Sequence, residues 1–585
     1  MSHRTFSCVA TILLAATGAA CAEIQPDFLM DSDPAFQLPE TIKVFRFDYK
    51  GMWNDALARP EVDLQRMTAE TIALAHKKGV PDLIETVPTL EKILMSESSH
   101  PSARFAAARA LTVLESVRSS EMLFEATQKY GADLRHLVEP ALAEWDFVPI
   151  RAVWSKRLDS AGTRPRDVML AIRGLGRVRD ASALSTLRKI SLDTVRVPDV
   201  RLEAASAAGL LAETGLEADA DRLIHETHST QVINRHCAIR LLTRHGSEPS
   251  RQLLIELATD AEPSIAAAAL ERLNEIDPAL VLPFAERAFA NADVHVREQG
   301  ARSYLSLPTT ERIGPLGELL DDPHPALRRR ICEGLYRLAR NAELKETIIQ
   351  AAMVVLARER WQGHEQASLL LGALEYQPAS KRLVELLESP RTEVMINSAW
   401  GLRKIADPLT IPAIVDKIRR QTVARKTIFK LGVDDQVAHL FEACGRMQAM
   451  DAELLMIEHI PKQLILGPLS RGAAVWALGW LHVGVPNAEL GIAFVGRLTD
   501  PSMMPPETEL VKHMCAISLA RMKAIEHVPV LKHLVGDATP NSKYGMGLQW
   551  AIKELTGEVI PGPFPRFVGP GSWFLEPLAP VDETH

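Results

Sequence analysis

One phrase recurs along this chain, and the recurrence restricts the fold more than any single motif does. Leu327 is followed at +4, +5 and +8 by Ile331, Cys332 and Leu335, positions that share one face of a helix. Val296 leads Gly300, Ala301 and Tyr304. Ile265 leads Ala269, Leu270 and Leu273. Ile233 leads Cys237, Ala238 and Leu241, and Val200 leads Ala204, Ala205 and Ala208. The anchors 327, 296, 265, 233 and 200 lie 31 to 33 residues apart, and Val394 stands two such steps beyond Leu327. Weaker copies start at Leu64, Ala103, Ser470, Val511 and Gly547, and degenerate ones fall near Leu137, Asp167, Glu365 and Gln436.

Each step holds two helices. In "TTERIGPLGELLDDPHPALRRRICEGLYRL" the first helix precedes the turn "DDPHP" and the second follows it. Pro325, Pro263 and Pro198 sit two residues before their anchors, where proline suits the first helical turn. Asp322, Asp260, Asn291 and Ser389 occupy one common slot five residues before the anchor, as turn residues that satisfy free backbone groups. The small residues at +4 and +5 let neighbouring helices approach. One pair cannot bury both of its apolar sides, so the pairs must stack. Composition agrees: apolar residues make up 47% of the 585, aromatics only 5%. The net charge of −8 argues against nucleic acid as the main partner.

"DDPHPALRRRICEGLYRL", "ANADVHVREQGARSYLSL" and "VPDVRLEAASAAGLL" resemble the D-P-x-x-x-V-R-x-x-A-A-x-x-L phrase of HEAT repeats. The short step is most similar to the HEAT-like repeats named after phycobilisome lyases. The resemblance implies an all-α fold, an α-solenoid in which antiparallel helix pairs form a right-handed superhelix. It speaks to architecture and not to activity.

The ends depart from the period. "MSHRTFSCVATILLAATGAACAEIQ" has the layout of a secretory signal peptide over 1–22, with Ala20-Cys21-Ala22 as the cleavage site before Glu23. The rival is a lipoprotein acylated at Cys21, although Gly18 stands where an aliphatic residue is usual. Membrane attachment is expected only in that case, since the apolar run is short for a span. Residues 23–60 read as an extended lead and cap, and 61–556 as the solenoid. The Pro/Gly-rich tail 557–585, with Phe564, Phe567, Trp573 and Phe574, reads as a cover for the last repeat or a docking arm. Cys237, Cys332, Cys444 and Cys515 read as buried small apolar residues.

Candidate chemistry is sparse. Asp321, Asp322 and His324 fall in turn slots, and Arg328, Arg201 and Arg297 share an anchor +1 slot that could pair with turn aspartates of a neighbour. The histidines of "HETHSTQVINRHCAIRLLTRHG" make His225, His228 and His236 weak metal candidates, without a closed ligand set. "GHEQASLLLGAL" resembles the His-Glu phrase of deoxyhypusine hydroxylases, HEAT-like proteins that hold two irons. That family needs four such pairs, and only His225-Glu226 and His364-Glu365 are present. Nothing marks a bilin site, and no hydrolase, P-loop, dinucleotide or haem motif occurs. Trp476 and Trp480 form one ridge that reads as packing in preference to a carbohydrate platform.

If the second helices line the concave side, positions +3 and +6 project there. Glu203, His236, Glu271, Gln299, Arg302, Arg330, Glu333, Asn397 and Trp400 then form a mixed polar face suited to a protein or peptide partner. The expectation is an exported, periplasmic or extracellular scaffold without enzymatic activity, cofactor or metal. The alternatives are an enzyme accessory or metal-binding protein using the His225–His245 region, and a structural envelope component with no discrete ligand.

Overall fold

The computed structural model describes residues 24–43, 49–80, 82–160, 162–225, 232–427, 430–463, 465–502 and 504–568. The expected signal peptide, Cys21, His228, Glu226 and the tail beyond 568 lie outside them. The fold is all-α, an α-solenoid of stacked antiparallel helix pairs. Every anchor of the sequence phrase falls on a second helix, and each intervening segment carries the first. Among the described residues no helix is long and apolar enough to cross a membrane.

The chain divides into two compact units. One comprises the described residues of 38–307 and of 563–568. Its second helices run from Val62–Lys77 through Pro101–Val113 and Pro198–Leu211 to Val294–Ser306, each packed on the next. Its core runs from Trp53 to Val296 and is built largely of Ala, Leu, Ile and Val. Tyr49–Ala58 closes the first pair by packing on Val62–Lys77. Thr41–Lys43 pairs in parallel with Arg566–Val568, a short two-stranded element that the helical period does not foreshadow.

The other unit comprises 24–37 and the described residues of Pro308–Gly562. Its second helices are Pro325–Leu338, Trp361–Ala373, Thr392–Ile405, Val433–Arg446, Pro468–Leu481, Glu509–Arg521 and Lys543–Thr556.

The turn chemistry follows the sequence pattern. Pro198, Pro263 and Pro325 are the first residues of their helices. Asp260, Asn291 and Asp322 each accept, at 2.8 Å, the backbone N–H two residues on, and Ser389 accepts one at 3.2 Å. Glycine sets the approach of neighbouring second helices. A Cβ on Gly209 would lie 2.1 Å from the Arg240 carbonyl oxygen, and one on Gly372 would lie 2.7 Å from the Gly401 Cα.

The anchor +1 arginines are buried where exposed pairs were expected. Arg201, Arg297 and Arg328 are buried and donate to carbonyls at the end of the preceding segment. Arg328 reaches the Asp322 and Pro323 oxygens at 3.0 and 3.1 Å, Arg297 those of Asn291 and Ala292, and Arg201 that of Ser191. The free end of the fork then reaches the next repeat, at Glu365 from Arg328 and at Asn234 from Arg201. A planar guanidinium with five donors suits this double duty. Arg104 and Arg471 repeat the carbonyl contacts, and Arg471 adds a buried bidentate pair with Glu507 at 2.8 and 2.7 Å.

Candidate functional site: a peptide track on the second helices

Residues 24–37, "IQPDFLMDSDPAFQ", belong to the unit that holds Pro308–Gly562. They run along the second helices Thr392–Ile405, Val433–Arg446, Pro468–Leu481, Glu509–Arg521 and Lys543–Thr556, within one unit. Apart from one short turn at Leu29–Asp31 the segment has no regular structure, so the helices supply its partners.

Asp27 is the first fixed point. Its Oδ1 accepts from Trp400 Nε1 at 2.7 Å and from Arg403 Nη2 at 2.6 Å. Desolvation alone would raise this carboxyl, but the indole N–H and the Arg403 charge outweigh it and hold it below its ordinary range. Phe28 stacks on His439 with centroids 4.4 Å apart. The Met30 N–H donates to Glu442 Oε1 at 2.9 Å, and the fully buried Glu442 is itself held by Arg403 Nη1 at 2.9 Å. The Met30 side chain is buried, and its Sδ would sit 3.4 Å from a Cβ on Gly472, so this glycine leaves it room.

Asp33 is the second fixed point. Its Oδ2 accepts from Trp476 Nε1 at 3.0 Å, Trp480 Nε1 at 2.9 Å and Arg521 Nη2 at 2.7 Å. Arg521 also lies 4.5 Å from the centroid of the Trp480 ring. Lys543 Nζ reaches Asp31 at 2.7 Å, and Phe36 tilts against His513 with centroids 5.4 Å apart. Burial pushes the His439 imidazole down and that of His513 down to about 4, so both rings meet phenyl faces as neutral groups. Each of these contacts of Asp27 and Asp33 is a hydrogen bond to a charged group, the stronger kind, and solvent weakens it most at the largely exposed Asp27.

The residues singled out from the sequence fare unevenly. Trp400 belongs to the track. Asn397 and Gln299 are buried between second helices instead of being displayed. Asn397 donates to the Glu365 carbonyl at 3.1 Å, and Gln299 accepts from Asn274 at 3.2 Å. Both amides therefore bridge repeats, and neither is open to a partner. Glu203 accepts from Arg173 at 2.9 Å, His236 lies 3.3 Å from Ser264, Glu333 is half-buried, and Glu271, Arg302 and Arg330 are exposed. Trp476 and Trp480 are more than packing, because their N–H groups converge on one carboxylate. The +6 offset that selects Trp400 also selects Glu442 and Trp476 in the copies anchored at Gln436 and Ser470. That signal was present in the sequence, masked by the weakness of those copies.

Of the histidine region, His225 and His236 are described and His228 is not. His225 sits between Asp221 and Glu256, 3.0 Å from each, beside a shallow depression of about 580 Å³. Desolvation lowers its pKa, but Glu256 and Asp221 outweigh that and raise it. Among the described residues no group of three or more His, Cys, Asp and Glu side chains could hold a metal ion. His364 is buried against the Arg358 carbonyl, and Glu365 takes Arg328. The four described cysteines are free and buried, which raises the Cys237 thiol to about 11 and that of Cys444 to about 12.

No protein-family model matches the chain. No curated protein matches it either. Among solved structures it is similar to importin beta crystallised in ammonium sulfate, at 13% identity and a TM-score of 0.50, covering 86% of this chain and 72% of that one. Kap121p bound to RanGTP matches at 13% identity and a TM-score of 0.47, over 86% of this chain and 56% of that one. The likeness to importin beta agrees with the HEAT-type solenoid and speaks to the fold alone.

Proposed function

We propose that this chain is an exported, non-enzymatic scaffold of the HEAT type that holds a protein or peptide partner along the face of its second helices. One observation carries the reading. Side chains from five successive second helices converge on an extended peptide segment and engage it by carboxylates, aromatic rings and a backbone N–H. Stacked repeats suit such ligands because each helix adds one contact to a continuous row. The signal-like residues 1–22 support export to the periplasm or beyond.

Photo-crosslinking in the native host tests the reading. A crosslinker at Glu271, Arg302 or Arg330 is expected to capture one discrete protein, while a crosslinker at exposed Leu409 or Ile492 on first-helix segments does not. Equal capture from both sets, or none from the first, counts against it. The mature chain is expected to begin at Glu23 by mass spectrometry. An intact Met1 would contradict cleavage, and acylated Cys21 would mark a lipoprotein.

A further inference from the structure

We propose that the track from Thr392 to Thr556 is a receptor for an extended acidic-aromatic segment, that residues 24–37 are its resident occupant, and that a partner polypeptide bearing the same chemistry takes their place. The inference rests on the scaffold reading and specifies what that scaffold recognises.

The receptor is built by the helices and not by the segment. Arg403 and Glu442 pair with each other, and Trp476, Trp480 and Arg521 cluster by ring and guanidinium contacts of their own. What this surface offers is indole N–H, guanidinium and ammonium groups, with neutral histidine rings between them. Those groups select carboxylates flanked by aromatic rings. The segment presents that pattern: Asp27 beside Phe28, and Asp33 six residues on with Phe36 following.

The segment also binds as a ligand would. Its grip consists of side-chain contacts and two described backbone contacts, the Met30 N–H to Glu442 and the Asp33 carbonyl accepting from Arg521, in place of a sheet or a helix packed into the core. Of its residues only Ile24 and Met30 are buried, while Phe28, Leu29, Asp33 and Phe36 stay partly exposed. Held in the same chain, it competes at the high effective concentration that tethering gives, so a partner in trans must bind well to displace it. The docked segment therefore sets a threshold for partner entry.

The test uses a fluorescent peptide with the sequence of residues 24–37, titrated by anisotropy against three proteins. These are the full chain, a chain starting at Leu38, and the full chain carrying Asp27→Ala and Asp33→Ala. Binding to the second and third is expected to be at least tenfold tighter than to the unaltered chain. A peptide with Asp27→Asn and Asp33→Asn is expected to lose at least tenfold on the same proteins. The third protein keeps the test decisive if the shortened chain fails to fold. Equal binding to all three, or binding indifferent to the two aspartates, overturns the proposal. So does no binding to an alanine variant that unfolds with the parent's midpoint. A full-chain dimer that dissociates on Asp27→Ala and Asp33→Ala would assign the site to a second copy and overturn the partner assignment. Crosslinks at Arg302 or Arg330 that persist while the peptide fails would overturn this inference and leave the scaffold reading standing.

Discussion

At the scale of single residues, buried arginine does the repeated work. The anchor +1 slot was legible as a recurring arginine in "VREQGA" and "LRRRIC", but its partners were not. Those partners are carbonyls and groups one repeat away, and sequence spacing carries no signal for a carbonyl. Arg471 is the strongest instance, because Glu507 is buried opposite it. Arg471→Ala removes the bidentate partner and leaves that carboxylate only the longer Arg497 contact at 3.5 Å and the Thr508 N–H, so it is expected to destabilise the unit by about 3 kcal/mol. Arg173→Ala, which breaks an open pair with Glu203, should lower stability by only about 0–1 kcal/mol. Urea denaturation of the two variants checks the contrast.

Histidine adds a pH dependence at the same scale. Burial lowers His459 and His513 to about 4 each. The unfolded chain therefore takes up these protons first. Stability is full above the unfolded value near 6.5, declines as pH falls below it, and stops declining on this account near 4. Lys543 and Arg521 face His513 and deepen the effect, while Asp31 opposes it. His513→Gln is expected to flatten part of the slope between pH 6.5 and 4 in denaturation midpoints. An unchanged slope would remove His513 from the explanation.

At the scale of elements, helix existence and order were legible, and helix ends were less so. Period, proline and turn aspartate all agree on where second helices begin. Seven of the second helices stop at Glu115, Asp146, Arg179, Glu375, Ala406, Gln448 and Lys523, which adopt the left-handed conformation without glycine to announce it. Glycine appears where helices touch. Gly209→Ala would ordinarily favour a helix by about 0.5–1 kcal/mol. Against the Arg240 and Leu241 carbonyls it is expected instead to destabilise by about 1–3 kcal/mol, because backbone cannot move aside cheaply. Thermal and urea midpoints of Gly209→Ala and of Gly496→Ala, whose Cβ would meet nothing, separate packing from propensity.

At the scale of the molecule, the solenoid was readable because one pattern repeats, and the occupied track was not. Residues 24–37 are a short aperiodic stretch, and their contacts with Trp400, Glu442, Trp476 and Arg521 join positions hundreds of residues apart. A one-dimensional period cannot report such a pairing. The central claim is that this track is a peptide receptor filled by a displaceable segment. Hydrogen exchange of residues 24–37 tests it most directly, with Met30, whose N–H rests on Glu442, as the reporter. In the full chain these amides are expected to exchange slowly, and a saturating trans peptide of distinguishable mass should release them to free-chain rates. Fast exchange in the chain alone, or protection unchanged when the peptide is bound, would contradict the account.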